Sequence, residues 1–375
     1  MARIEITGKY ATAVIHAADG EGAPDQHAIA QVQMLCDTEA CSGARIRVMP
    51  DVHAGRVGPV GLTMPVGERV MPALIGGDIG CGVTAVRVVA KGRPDLAKLD
   101  KAVREACEGA ARAGAARDDA RLIVGSLRCS ANVQAARAEA AVGTLGGGNH
   151  FVELDRGGDG SLYLVVHSGS RILGQQVFDH YMREGRRELG DASADVPYET
   201  TWLEGKLARD YSADVRATCL YSQLNRETIV SAVCRKMKWS RAEAICSQHN
   251  FIDKSGMLRK GAVRAREGDP VIIPVNMRDG AILGVGRGNP DWNESAPHGA
   301  GRTIRRSDVA SSHTVSEFRK EMDGVWTSCI GAGTLDEAPF AYRSIGQIEG
   351  AIGDAVRVTD VLRPVYVFKN GGSVR

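Results

Sequence analysis

The sequence of 375 residues lacks the features that mark secreted and membrane proteins. Residues 1–5 contain no apolar signal core, and no stretch is long and apolar enough to span a bilayer. The nine cysteines, an odd number in a long chain, do not form the disulfide pattern of a small secreted domain. We therefore expect a cytoplasmic protein of a reducing compartment, with no membrane partner.

The chain also lacks a charge excess, an internal repeat and a low-complexity segment. The 47 Lys and Arg residues nearly balance the 45 Asp and Glu residues, so the net charge of +2 neither requires nor excludes a nucleic-acid partner. No linker divides the sequence, and 43% hydrophobic residues are enough for a substantial core. We expect a single domain over residues 1–375, with a monomer as the default.

Hydrophobic periodicity predicts intermixed helices and strands. Helices are expected at 26–41, 95–115, 203–237 (with a break) and 241–248. Strands are expected at 70–76, 83–89, 151–154 and 162–166, with several short ones over 258–288. Because this order has no regular βαβ rhythm, the sequence favours an α+β fold over a doubly wound sheet.

One histidine lies in a run that suits phosphate chemistry. His298 follows Pro297 and is followed by Gly299 and Gly301, which leave little cover around its ring. Arg302 offers a planar guanidinium for phosphate oxygens. An imidazole in this setting could attack or hold a phosphorus centre. Taken alone, the segment fits a structural histidine in a glycine-rich turn equally well.

Five other residues at the ends of predicted elements form a candidate metal set. Asp78 and Cys81 lie between two apolar segments, and the histidines adjoin polar or glycine-rich turns; the set is Asp78, Cys81, His150, His167 and His249. Oxygen, sulfur and imidazole donors could bind one or two divalent ions, and this chemistry suits zinc at least as well as manganese. Each histidine by itself is more often structural. His53, which Asp51 could orient, is a further candidate.

Taken together, these motifs resemble the RtcB family of RNA-splicing and RNA-repair ligases. The resemblance rests on segments in family order along nearly the whole chain: 49–55 (MPDVHAG), 77–82 (GDIGCG), 143–153 (GTLGGGNHFVE), 167–171 (HSGSR), 249–251 (HNF), 259–262 (RKGA), 298–302 (HGAGR), 337–343 (EAPFAYR) and Lys369. Several long motifs in the same order rarely arise by chance.

The resemblance implies a compact α+β fold with a central cleft for metal and nucleotide. It implies two Mn²⁺ ions, with Cys81 bridging them and Asp78, His150, His167 and His249 completing their ligand shells. It implies that His298 is the nucleophile that takes GMP from GTP. The implied nucleotide contacts are Asn149, Glu153, Asn250, Asn276, Gly299, Ala300, Gly301, Tyr342 and Lys369, with Tyr342 against the guanine and Lys369 bonded to it.

The implied reaction joins RNA ends that carry a 3′-phosphate or a 2′,3′-cyclic phosphate to ends that carry a 5′-hydroxyl. GMP passes from His298 to the RNA 3′-phosphate, and the 5′-hydroxyl then displaces it. A cyclic phosphate would first be opened to a 3′-phosphate at the same site. The physiological setting is RNA repair or tRNA splicing.

Some segments depart from the family pattern. Residues 274–278 read PVNMR where the family usually has PGSMG, so Asn276 and Arg278 are expected to alter or replace GTP contacts. Arg305 and Arg306 replace the usual Ser-Arg pair, and six residues follow Lys369. These changes suggest a divergent branch that repairs a specific damaged RNA. Two alternatives stay open: a metal-dependent phosphodiesterase or cyclic phosphatase without ligation, and a catalytically silent RNA-binding protein.

Overall fold

The fold was analysed on a computed structural model, which describes residues 2–17, 24–108 and 114–371. Its strands are β1 (Ala2–Thr7), β2 (Thr12–Ala17), β3 (Arg45–His53), β4 (Val60–Pro65), β5 (Gly82–Val89), β6 (Phe151–Arg156), β7 (Leu162–Ser168), β8 (Ser240–Gln248), β9 (Asn250–Ile252), β10 (Met257–Lys260), β11 (Ala262–Arg264), β12 (Pro270–Asn276), β13 (Gly280–Gly286), β14 (Ser295–Pro297), β15 (Trp326–Thr327) and β16 (Val356–Phe368).

The helices surround these strands. They are α1 (Gln26–Cys36), α2 (Leu96–Cys107), α3 (Ala115–Gly125), α4 (Ala135–Ala141), α5 (Ile172–Leu189), α6 (Gly205–Met237), α7 (Val309–Ser312), α8 (Val315–Glu321) and α9 (Ile345–Ile352). The α+β prediction is therefore confirmed. None of the helices within the described ranges is long and apolar enough to cross a membrane.

Two large sheets organise the molecule. The first has six strands in the order β1-β2-β3-β4-β10-β9. The second runs β12-β13-β16-β6-β7-β5-β8, with β15 paired to β16. The two ends of this second sheet approach each other, because Ile272 on β12 donates its backbone N–H to Ser247 Oγ on β8 at 3.2 Å. The sheet thus curls around a small apolar core of its own.

The long helix α6 joins the two sheets. Its buried residues contribute to the core beside the six-stranded sheet and to the core on the outer face of the curled sheet. The predicted break does not occur, because residues 206–237 contain no glycine or proline to interrupt the backbone hydrogen bonds. The helix ends at Lys238, which adopts the left-handed conformation with φ of 58°.

The structure corrects several element predictions. Residues 241–248, which we expected to form a helix, belong to strand β8, because pairing along the whole of β5 overrides their helical composition. Residues 70–76 contain a 3₁₀ turn (Pro72–Leu74) instead of a strand, since Pro72 has no N–H to donate to a sheet.

Other element predictions are confirmed in kind, with shorter helices and longer strands than expected. The helix expected at 26–41 ends at Cys36 and is followed by a 3₁₀ turn, Glu39–Cys41. The helix expected at 95–115 ends at Cys107; residues 109–113 lie outside the described ranges. The strand at 83–89 and the strand pair at 151–154 and 162–166 are confirmed by β5, β6 and β7.

Candidate active site

Antiparallel pairing brings four site residues to one end of the curled sheet. β5 begins at Gly82, directly after Cys81, and pairs with both β7 and β8, so its start lies beside the ends of those two strands. His167 lies at the end of β7, and His249 directly follows β8. His150 precedes β6, whose first residue is in register with His167. The strand register therefore places side chains that are far apart in sequence side by side.

Three of these side chains form a tight, buried group. The ligand atoms of Cys81, His167 and His249 all lie within 4.8 Å of one another. The Cys81 Sγ atom is 3.3 Å from His167 Nε2 and 3.6 Å from His150 Nε2. His167 Nε2 and His249 Nε2 are 3.4 Å apart. His150 thus borders the group on the sulfur side.

The hydrogen bonds of the rings show which nitrogens face the group. His150 Nδ1 donates to the Leu145 carbonyl oxygen at 2.8 Å, and His167 Nδ1 donates to that of Asn149 at 3.1 Å. Because a carbonyl can only accept, Nδ1 carries the proton and Nε2 carries the lone pair. Lone pairs and a sulfur atom that converge at these distances repel one another unless a proton or a metal cation lies among them. The donor set therefore fits a divalent transition metal.

Burial keeps the imidazoles neutral. It lowers the pKa of His150 to about 3, with a further contribution from Arg171. Burial also lowers the pKa of His167 and of His249 well below the ordinary value. The same burial, aided by Asp78, raises the pKa of the Cys81 thiol to about 12, against the opposing charges of Arg226 and Arg171. A metal ion would have to displace this thiol proton to bind the sulfur.

Asp78 lies outside this tight group. Its side chain is exposed, and its charge interacts with Lys260 and Arg171. His53, the further candidate, lines the pocket described below and donates its Nδ1–H to the backbone oxygen of Asp51 at 3.0 Å. The structure therefore brings Cys81, His167 and His249 together, with His150 beside them, and places Asp78 and His53 at the periphery.

A cavity of about 590 Å³ adjoins this group. His167 and His249 are part of its wall, as is His298, whose ring centroid is 4.8 Å from that of His249. The predicted nucleotide contacts that line it are Asn149, Glu153, Asn276, Gly299, Ala300, Gly301, Tyr342 and Lys369. Asn250 is absent from this wall; its Oδ1 atom accepts the backbone N–H of Gly261, which follows the paired strand β10, at 2.9 Å.

The His298 ring is held by a buried carboxylate. Asp51 Oδ2 accepts the Nδ1–H of His298 at 2.6 Å and its backbone N–H at 3.1 Å. Asp51 is fully buried, and its charge also acts on His53 and Arg343. With Nδ1 occupied, Nε2 is the ring nitrogen that is left with a lone pair for a substrate. Sequence reasoning had linked Asp51 to His53, and no local signal connected it to a histidine 247 residues away.

Glu337 connects the cations at the opposite wall of the cavity. Its carboxylate accepts hydrogen bonds from Lys369 Nζ at 2.8 Å, Arg302 Nη2 at 2.6 Å and Tyr342 OH at 2.8 Å, and from Arg306. Burial acts to raise the pKa of Glu337, but Lys369 and the two arginines outweigh it and hold the pKa at about 2. Sequence reasoning had included Glu337 in a motif without giving it a role.

This arrangement corrects two expectations for cationic residues. Arg302, which we expected to offer a free fork to phosphate oxygens, bonds instead to Glu337, Tyr342 and the backbone oxygen of Asp336. Arg278 lies outside the cavity wall and pairs with Glu321 on α8. Asn276 lines the cavity, yet its Oδ1 atom accepts the backbone N–H groups of Arg278 and Asp279.

Comparison with known proteins identifies the family. A family model described as tRNA-splicing ligase RtcB matches residues 31–126 and 124–370. The chain belongs to the RtcB family. The RNA-splicing ligase RtcB of Escherichia coli strain K12 is 30% identical over 371 residues, covering 86% of this chain and 90% of that protein. The tRNA-splicing ligase RtcB of Aeropyrum pernix is 26% identical, with 86% and 87% covered.

Replacing Asp51 should slow any reaction of this RtcB protein that uses His298 Nε2. In Asp51→Asn the ring loses its anionic partner and the fixed tautomer, so we expect the rate of covalent nucleotide labelling to fall at least about 100-fold. Single-turnover labelling measures this. Asp100→Asn is the matched control, since Asp100 is a buried, hydrogen-bonded carboxylate outside the cavity wall. Equal rates in wild type and Asp51→Asn would refute the orienting role.

Replacing Glu337 should destabilise the fold in a pH-dependent way. Its depressed pKa of about 2 means that it stabilises the native state fully above pH 4.5, and that this contribution is lost as the pH falls toward 2. We expect Glu337→Gln to reduce the free energy of unfolding at pH 7 by about 3 kcal/mol. The stability of this variant should not show the loss that the wild type shows as the pH falls from 4.5 toward 2. Urea denaturation across this pH range measures both effects.

The matched control for this variant is Glu139→Gln. Glu139 is a buried carboxylate that accepts hydrogen bonds from Arg121 on a different part of the molecule. Suppose that Glu337→Gln loses no more stability than this control at any pH. The charge of Glu337 would then not stabilise the cationic side chains around it.

Proposed function

We propose that this protein is a GTP- and Mn²⁺-dependent RNA ligase that joins RNA 3′-phosphate or 2′,3′-cyclic phosphate ends to 5′-hydroxyl ends. The observation that carries the proposal is His298: Asp51 holds its Nδ1, and its ring lies beside the buried Cys81–His167–His249 group at the wall of a cavity of about 590 Å³. Family membership and relatives named RNA-splicing ligase support an RNA substrate.

His298 would begin the reaction as a nucleophile. Its Nε2 atom attacks the α-phosphorus of GTP, an N–P bond forms, and the bond to the β-phosphate oxygen breaks to release pyrophosphate. An oxygen of the RNA 3′-phosphate then attacks the same phosphorus, so that the N–P bond breaks and an RNA-3′-pp-G end forms. Finally the 5′-hydroxyl attacks the RNA phosphorus, a phosphodiester forms and GMP leaves. A cyclic phosphate is hydrolysed to the 3′-phosphate beforehand.

The metal would be held by Cys81, His167 and His249, with His150 on the sulfur side and Asp78 as the peripheral oxygen ligand. When bound, it would supply positive charge that stabilises phosphate oxygens next to His298. Ligand chemistry alone would accept zinc as readily as manganese. The metal-bound protein should therefore be tested with each ion separately.

The glycines after His298 allow the backbone to lie close to a ligand on one side and to Arg343 and the Asp51 backbone on the other. Gly301 has φ of 70°, and a Cβ atom there would lie 2.2 Å from Arg343 Nη1 and 2.5 Å from the Asp51 backbone oxygen. We infer that Gly299, Ala300 and Gly301 follow the nucleotide backbone. At the far wall, Glu153, Tyr342 and Lys369 would receive the base, with a carboxylate and an ammonium facing the guanine N–H groups and carbonyl oxygen.

We infer that Arg171, whose Nη1 lies 3.3 Å from His150 Nδ1, would provide a site for a second phosphate. Its guanidinium packs on Gly146, where a Cβ atom would lie 2.0 Å from Nη1, and its buried Nε atom has no hydrogen-bond partner. The residue adopts φ of 56°, a strained conformation that is typical of functional positions. A guanidinium in this state beside the metal group would bind the phosphate of the RNA 3′ end.

The decisive experiment offers the protein α-labelled GTP, Mn²⁺, and two RNAs, one with a 3′-phosphate and one with a 5′-hydroxyl. We expect a covalently labelled protein without RNA, and a joined RNA when both are present. No label and no joined product from correctly folded, metal-loaded protein would exclude the ligase proposal.

One observation favours a second candidate, a metal-dependent phosphodiesterase or cyclic phosphatase. The Asn276 side chain is occupied by its own turn, so the altered 274–278 loop offers a nucleotide fewer free polar atoms. Opening of a 2′,3′-cyclic phosphate with Mn²⁺ but without GTP-dependent label or joining would support this candidate. Ligation of the same RNA would exclude it.

A further inference from the structure

One short stretch of helix α6 carries three buried polar side chains on a single face. Ser222, Asn225 and Arg226 are fully buried, and their spacing of three and four residues places them on the same side of the helix. Polar groups at this depth are costly to bury unless their donors and acceptors are satisfied. The partners of these three side chains therefore indicate the role of this face.

Two of the three side chains bond to the turn that precedes Cys81. Ser222 Oγ donates to the Gly80 carbonyl oxygen at 2.5 Å, and Arg226 Nη1 donates to the same oxygen at 3.2 Å. The turn also packs directly on the helix, because Gly80 has φ of 71° and a Cβ atom there would lie 2.8 Å from the Cys219 Cα atom. The peptide group between Gly80 and Cys81 is thus fixed by α6.

The same guanidinium bonds to the residue that follows His167. Arg226 Nη1 donates to the Ser168 carbonyl oxygen at 3.0 Å. A single nitrogen therefore bridges the backbone next to Cys81 and the backbone next to His167. Arg226 Nε also donates to Thr84 Oγ1 at 3.0 Å, on the strand β5 that begins directly after the cysteine. Arg226 thus holds the ends of two strands at a set separation.

Asn225 connects α6 to His150 through a chain of hydrogen bonds. Asn225 Nδ2 donates to Ser168 Oγ at 3.0 Å, and this hydroxyl donates to the Leu145 carbonyl oxygen at 2.8 Å. The Nδ1–H of His150 donates to the same carbonyl oxygen, also at 2.8 Å. Asn225 Oδ1 accepts the backbone N–H of Gly143 at 2.7 Å, which fixes the loop before His150 at a second point.

His249 is connected to the same stretch of α6 through the residue before it. Gln248 Nε2 donates to the Cys219 carbonyl oxygen at 3.0 Å. The His249 backbone N–H donates to the Cys81 carbonyl oxygen at 3.0 Å, which ties this histidine to the cysteine as well. Residues 219–226 of α6 therefore hold all four chain segments that carry the cysteine and the histidines of the buried group.

The buried charge of Arg226 argues against a role in packing alone. Among the described residues it forms no ion pair, and its donors reach two carbonyl oxygens, two hydroxyls and the Cys246 sulfur. An apolar side chain of similar length could fill this space without the cost of desolvating a cation. The guanidinium differs from such a side chain in its rigid, planar set of donors. That property is useful where the relative position of the acceptors matters, as it does at a metal site.

We propose that three residues, which we call the α6 platform, are positioning residues that fix the separation of the candidate metal ligands before an ion binds: Ser222, Asn225 and Arg226. The inference rests on the proposed function, because it takes the buried cysteine and histidine group as the metal site. None of the three touches the ion or the substrate. Ligands that are ordered during folding bind an ion more tightly, since no ordering cost is left for the binding step.

The Mn²⁺ affinity of the full-length protein tests the proposal. We expect Arg226→Met to lower this affinity at least about 10-fold, the scale that is typical when an outer-shell partner of a metal ligand is lost. Ser222→Ala removes one hydroxyl and leaves the Arg226 bond to Gly80, so it should fold normally and lower the affinity about threefold. Competition with a fluorescent chelator measures both values.

Asp214→Asn is the matched control on the same helix. Asp214 is also buried, and its carboxylate accepts the backbone N–H groups of Arg128 and Cys129, in a loop that carries no candidate ligand. This variant should lose stability but keep the wild-type Mn²⁺ affinity. An affinity loss in Arg226→Met that is no larger than in Asp214→Asn would overturn the proposal.

Thermal unfolding with and without Mn²⁺ separates positioning from simple stabilisation. A residue that only stabilises the fold lowers the melting temperatures of the metal-free and metal-loaded forms together. Loss of a platform residue should instead reduce the rise in melting temperature that a fixed Mn²⁺ concentration causes, because that rise depends on affinity. A rise as large as that of the wild type in both Ser222→Ala and Arg226→Met would contradict the inference.

The outcomes distinguish this inference from the proposed function. If the platform variants bind Mn²⁺ as tightly as the wild type, the inference is wrong and the ligase proposal stands. If their affinity falls as expected but the wild type takes no label from GTP, the ligase proposal fails and the platform stands. A wild type that binds no divalent ion overturns both.

Discussion

We expect replacement of His298 with alanine to abolish the covalent guanylate label and the joining of RNA ends that the proposed function requires. The expected loss is at least about 10⁴-fold, the scale seen when a catalytic nucleophile is removed from an enzyme that works by covalent transfer. His249 is a poor substitute, because its Nε2 lies 3.4 Å from that of His167. His53 bonds the Asp51 backbone oxygen and lacks the carboxylate contact that orients His298.

The fold should survive this change. His298 lies at the cavity wall, and its ring is hydrogen-bonded to Asp51. His27→Ala, an exposed position on α1, is the matched control and should retain full labelling. Labelling is measured with α-labelled GTP after denaturing electrophoresis, and circular dichroism checks the fold. A label that persists in His298→Ala at the wild-type level would place the nucleophile elsewhere.

The second large effect is expected for Cys81. Cys81→Ser removes the sulfur around which His150 and His167 converge and leaves a hydroxyl that is a much weaker ligand for a transition metal. Loss of an outer-shell partner costs about 10- to 100-fold in metal affinity, so loss of this direct ligand should exceed 100-fold. Metal content and labelling should fall together, because the charge next to His298 disappears with the ion.

The measurement is metal content by mass spectrometry after dialysis against limiting Mn²⁺, with labelling assayed on the same samples. Cys107→Ser is the matched control, since Cys107 is a buried, free cysteine in the core outside the curled sheet. Should Cys81→Ser keep the wild-type metal content, the sulfur is not a ligand. If Cys81→Ser retains metal but is not labelled, Cys81 is needed to position the phosphate and not to bind the metal.

Much of the candidate site could be predicted because its reactive residues lie in recognisable local sequence motifs. Cys81, His150, His167 and His298 each lie within two residues of a glycine, which is needed wherever the backbone turns sharply or a side chain needs open space. A sharp turn or an open position constrains only a few neighbouring residues, so the need for glycine can be seen in a single sequence. The α+β class followed in the same way from local periodicity.

The errors arose where long-range contacts outweigh local preference. The segment Ser240–Gln248 is rich in helix-forming residues but becomes a strand because β5 supplies its hydrogen bonds. Arg302 looked like a free phosphate ligand until Glu337, 35 residues away, was found to occupy it. Asn250 directly follows His249, and its Oδ1 atom accepts the backbone N–H of Gly261, so its nucleotide contact stays a prediction.

The sequence by itself determined the family, the α+β class and the residues that carry reactive groups, since motif order and glycine spacing are properties of the chain alone. Only the tertiary structure decided which groups act together. Asp51 meets His298, three of the five candidate ligands converge tightly, and one face of α6 bonds to the backbone beside them. The physical reason is that hydrogen bonds, burial and charge pairing depend on distance in space, which antiparallel strand register sets between residues far apart along the chain.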